Sequence, residues 1–83
     1  MRGTGAVTIG KGVVYAYFTV EGRAARLRLS ADDCEQFDLF EGQQVRIGLP
    51  DRDATVALVT GVVPAPPFAW VEVEFAEWVS RAG

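Results

Sequence analysis

Apolar and polar residues alternate with period two along several stretches of the chain, a spacing that predicts strands. Residues 13–20 read Val-Val-Tyr-Ala-Tyr-Phe-Thr-Val, a β-branched and aromatic run. Residues 23–29 place Ala25, Leu27 and Leu29 on one side and Arg26 and Arg28 on the other. A two-residue turn at Glu21-Gly22 would join the two runs as a hairpin in which Phe18 faces Ala25, Ala16 faces Leu27 and Val14 faces Leu29. The opposite face would pair Tyr17 with Arg26 and Tyr15 with Arg28, and a slip of one residue would mix the two faces.

Beyond the hairpin, Ser30 is placed to cap a short helix over residues 31–37, with Asp32, Asp33 and Glu35 near its positive end. Cys34 and Phe37 form the apolar stripe of that helix, and Cys34 is expected to be buried. Gly42 takes the turn into a third strand, where Val45, Ile47 and Leu49 alternate with Gln44, Arg46 and Gly48. A turn follows at residues 50–53, in which Asp51 and Asp53 read as solvated residues rather than metal ligands. The fourth strand, residues 54–63, is almost wholly apolar. A four-residue loop would set Ile47 opposite Val56 and Val45 opposite Leu58. The prolines at 64, 66 and 67 should break that strand as a stiff loop. In the last strand Val71, Val73 and Phe75 point inward while Trp70, Glu72 and Glu74 point outward, and residues 76–79 add a turn of helix. Residues 7–9 supply an early strand, or extend the first through a bulge.

Five or six short strands cannot bury their inner faces as an open sheet. The expectation is one all-β domain over residues 1–83: a small five- or six-stranded barrel, SH3-like or OB-like, with one short helix. Its predicted core is Val14, Phe18, Leu27, Val45, Ile47, Val56, Leu58, Val71, Val73 and Phe75.

Residues 27–59 run from a strand through the capped helix to Leu39-x-x-Gly42-x-x-Val45 and a further strand pair. This stretch resembles the strand–helix–strand element of AbrB-like DNA-binding regulators and of MOP/TOBE molybdate-binding domains. The resemblance implies a small barrel. AbrB-like elements carry a proline and basic residues near the helix start, where this chain has Ser30-Ala31-Asp32-Asp33. No functional residue is carried over from either family.

Composition removes several classes of chemistry. The chain has no histidine, hence no imidazole base or metal ligand, and its single cysteine can form neither an intrachain disulfide nor a thiolate cage. Glycine spacing fits no phosphate-binding fingerprint, and no serine sits in a nucleophile elbow. An enzyme is therefore not expected, and neither is a cofactor or a bound metal. Eight basic against eleven acidic residues give a net charge of −3, which disfavours duplex DNA as a partner. No apolar run reaches the ~18 residues of a membrane span, and the first residues lack a signal-peptide core, so a cytoplasmic chain is expected. Arginine dominates the basic residues and asparagine is absent, a bias typical of GC-rich bacterial genes.

The candidate interaction surface is Tyr15, Tyr17, Arg26 and Arg28, with Trp70 and Trp78 as outward aromatics. Such a face can be a cross-strand ladder, a protein-binding surface or a platform for single-stranded nucleic acid. If the last strand lies beside the hairpin, Glu72 and Glu74 neutralise the arginines. The leading reading is a non-enzymatic interaction module that associates with itself as a dimer or larger oligomer, and with another protein. A barrel holding a small ligand, such as an oxyanion, is the alternative, and nucleic-acid binding ranks below it.

Overall fold

The structure, a computed structural model, describes residues 1–75. Trp78 and the helical turn expected at residues 76–79 lie outside the described residues. Six strands close into an antiparallel barrel: β1 (Arg2–Ile9), β2 (Gly12–Glu21), β3 (Ala24–Ser30), β4 (Gln44–Leu49), β5 (Arg52–Ala65) and β6 (Phe68–Phe75). Their order around the barrel is β1-β2-β3-β6-β5-β4, and β4 closes on β1 through Thr8 beside Gly48 and Ile9 beside Ile47. One helix, α1 (Ala31–Gln36), joins β3 to β4. The small all-β barrel with a short helix is thus the architecture expected from the pattern.

The β2–β3 turn lies one residue later than expected. Glu21 pairs with Ala24, leaving Gly22-Arg23 as the loop, with φ +61° at Gly22. Glycine with positive φ at the first loop position is the type II′ preference, which suits the twist of a hairpin better than Glu at that position. Every pair shifts accordingly: Phe18 faces Leu27, Val20 faces Ala25, Tyr17 faces Arg28 and Thr19 faces Arg26. Because the displacement is an even number of residues, the inward and outward sets survive it. At the other end of β2, β1 is longer than residues 7–9: its inward positions include Gly5 as well as Val7 and Ile9, and glycine hid the alternation.

The β4–β5 register corrects the sequence reading by one residue, so the faces of β5 invert. Val45 pairs with Ala57 and Arg46 with Val56, with an irregularity between Ile47 and Leu49. Ala57 and Val59 are fully buried, whereas Val56 and Leu58 are 39% and 37% exposed. An apolar run without alternation carries no parity of its own, so the filling of the barrel decides. Ala57 sits beside Phe75, where a small residue complements a large one in a close-packed interior. A second irregularity, between Val59 and Gly61, turns the rest of β5 so that Val63 faces out beside Trp70. The strand then runs through Pro64 instead of breaking there. β4 pairs with β5 only as far as Leu58, so Pro64 lies beyond its reach and its missing N–H interrupts no ladder on that edge.

α1 closes one end of the barrel. Ser30 Oγ accepts the Asp33 N–H at 3.0 Å, the expected cap. Cys34 and Leu39 are buried, and half-buried Phe37 packs against the same cluster. Phe37 fits because position 12 is glycine: a Cβ there would come within 2.6 Å of the ring. Gly42, with φ +95°, donates its N–H to the Val59 carbonyl at 2.7 Å and so tethers the turn to β5. Val14 and Val45, both expected in the core, are half-buried at its margin.

The β5 register is directly testable. Ala57→Lys should abolish the cooperative urea transition, because it buries an unpaired ammonium. Leu58→Lys, facing out beside Glu74, should change stability by less than about 1 kcal/mol. The reverse order of effects would restore the other face of β5 to the interior.

A candidate interaction face across β2, β3 and β6

The pairings align the outward residues of five strands in rows. Thr4, Tyr17, Arg28, Trp70 and Val63 form one row across β1, β2, β3, β6 and β5. The next row along the strands is Arg2, Thr19, Arg26, Glu72 and Gly61. Glu74 and Glu21 flank Ala24 one row further, while Tyr15 and Phe68 lie outward at the opposite end. Four of the six residues expected at the surface site, Tyr17, Arg26, Arg28 and Trp70, therefore meet on one side of the barrel. Tyr15 continues their column on β2.

Their contacts are those of a guanidinium–aromatic ladder. Arg28 lies 5.4 Å from the Tyr17 ring centre and 4.7 Å from that of Phe68. Arg26 lies 4.8 Å over Trp70, and Tyr17 meets Trp70 edge to face at 6.2 Å. Exposed cation–π contacts of this kind contribute about 0.5–1 kcal/mol each. Arg26 Nε also reaches Glu72 Oε2 at 3.4 Å, with both side chains substantially exposed, so the pair is worth at most about 1 kcal/mol. The pairing of β3 with β6 thus brings Glu72 to Arg26. No carboxylate pairs with Arg28 among the described residues.

Phe68 reads from the sequence as an aromatic near a turn or on an outward parity but is not one of the six residues expected at the surface site; the β3–β6 register, with Ser30 beside Phe68, brings its ring to Arg28. Val63 became outward only through the irregularity in β5. Tyr15, 76% exposed, has no ring or cation contact among the described residues, so its ring is presented to solvent rather than packed.

Comparison with protein-family models, curated proteins and solved structures found no match.

Elsewhere the chemistry is sparse. Cys34 is buried, and desolvation raises its pKa above the ordinary thiol value, which disfavours the nucleophilic thiolate. Among the described residues there is no cluster of three or more metal-ligating side chains, and no helix is long and apolar enough to cross a membrane. A depression of about 90 Å³ lined by Thr19, Glu21, Ala24 and Arg26 falls short of the ~300 Å³ at which small-molecule sites begin.

Substitutions should separate ladder from free surface. Trp70→Ala should destabilise the fold by roughly 1–3 kcal/mol through lost packing with Tyr17 and Arg26. Tyr15→Ser should stay within about 0.5 kcal/mol of wild type. Urea denaturation measures both. A large loss at Tyr15 would place its ring in the packed structure.

Proposed function

We propose that this chain is a non-enzymatic protein-interaction module whose docking surface is the outer face of β2, β3 and β6. The observation that carries the reading is the outward row of half-buried Tyr17 and Trp70 with exposed Arg28 between them, flanked by exposed Tyr15 and Phe68. Tyr, Trp and Arg are the residues that concentrate binding energy at protein interfaces, where large apolar area and planar hydrogen-bonding groups combine. The ladder holds these groups in fixed positions, so little side-chain freedom is lost on docking. Rigid presentation of this kind also explains how one face serves both stability and recognition.

Charge favours a protein over a nucleic acid. Glu72, Glu74 and Glu21 share the face with the arginines, and the whole chain carries −3. Phosphates approaching the rings would meet those carboxylates. A small ligand inside the barrel is disfavoured by the filled interior, in which Val7, Leu27, Ala57, Val59 and Val71 are wholly buried.

A photo-crosslinking side chain at position 15, compared in cells with one at exposed Arg46 on β4, tests the reading. Protein adducts at position 15 that are absent at position 46 are expected. No adducts at position 15, or adducts to nucleic acid alone, would contradict it.

A further inference from the structure

We infer that the partner this face accepts is a second copy of the chain, docked about a two-fold axis that runs along the seam between β3 and β6. The inference rests on the reading of the face as a protein-docking surface. It starts from an asymmetry of charge between two neighbouring strands. Outward from β3 stand Arg26 and Arg28; outward from β6 stand Phe68, Trp70, Glu72 and Glu74. One strand is cationic, and its neighbour is aromatic and anionic.

A two-fold axis parallel to the strands and midway between them lays each β3 over the β6 of the other copy while keeping the rows in step. Row by row, the pairs that result are complementary. Arg26 meets Glu72 of the second copy, since the two are register partners. Arg28 meets Trp70 of the second copy, for the same reason. Every contact occurs twice, as isologous interfaces require.

Other placements of the axis are worse. An axis along β3 sets Arg26 and Arg28 against their own copies. An axis across the strands at the Arg28 row does the same for Arg28. Like charges directly opposed disfavour both. The curvature of a barrel adds a second preference. Two convex faces touch first along one line, and the β3–β6 seam is the line on which the arginines, Trp70 and Glu72 all lie. Arg28, already seated on the Tyr17 and Phe68 rings, needs no rearrangement to present its guanidinium outward.

Charge reversal tests the geometry. Light scattering of the wild type at micromolar concentration should give twice the 9.0 kDa chain mass. Arg26→Glu alone opposes two carboxylates across the seam, and Glu72→Arg alone opposes two guanidinium groups. Each should weaken the dimer about tenfold or more. An equimolar mixture of the two variants should recover the dimer, because each now complements the other. Arg28→Glu is an independent variant expected to dissociate the dimer, and melting by circular dichroism confirms that each variant remains folded. A monomeric wild type, dimers unaffected by the single reversals, or a mixture that stays monomeric would each overturn the proposal. A monomeric wild type whose position 15 still crosslinks to a different protein would overturn the second copy and leave the docking face standing. Absence of any protein adduct would remove both.

Discussion

Six short strands closed into a barrel leave room for about one inward side chain per position, and that volume governs every other feature of the molecule. Phe75 and Phe18 occupy much of it, so the positions beside them must be small or shared: Ala57 pairs with Phe75, and Gly3 lies opposite Phe18. With Ala57 inward, Val59 follows it, and Val56 and Leu58 are turned to the surface. The irregularities near Gly48 and Thr60 absorb the residues that do not fit an unbroken ladder. Interior packing therefore sets the outer rows as well, since each inward residue commits its neighbours outward.

Those outer rows combine weak interactions into a preorganised surface. No single contact among Tyr17, Arg26, Arg28, Phe68, Trp70 and Glu72 contributes more than about 1.5 kcal/mol. Together they fix the orientation of two guanidinium groups and an indole on neighbouring strands. On the proposed reading, surface aromatics held this way would cost little entropy on docking, and the alternation of cationic β3 with anionic and aromatic β6 would favour one orientation of the second copy. Function, on this view, lies in the register of one pair of strands rather than in any reactive group.

Much of this was readable from residue order where a single face alternated. The Arg-Leu-Arg-Leu run predicted both faces of β3, the Trp-Val-Glu-Val-Glu-Phe run predicted both faces of β6, and Ser30 announced the helix start. The turn at Gly22 was displaced by one residue without harm, because parity survives an even shift of register. Parity failed only in β5, whose run from Ala54 to Val63 is apolar on both faces and gave no reason to prefer Ala57 over Val56. The surface ladder was half legible: the hairpin put Tyr17 and Arg28 on one outer face, though it paired Tyr17 with Arg26, whereas Phe68 and Val63 join them only through strand neighbours distant in sequence. Such non-local pairings are settled by closure of the barrel, which no local pattern encodes.

The register of β6 between β3 and β5 is the point on which core and surface both turn, and backbone cross-strand nuclear Overhauser effects in solution measure it most directly. The expected map pairs Arg28 with Trp70, Trp70 with Val63 and Arg26 with Glu72. Cross-peaks that instead pair Arg28 with Ala69 or Val71 would exchange the two faces of β6, expose Val71 and Val73, and dissolve the surface described above.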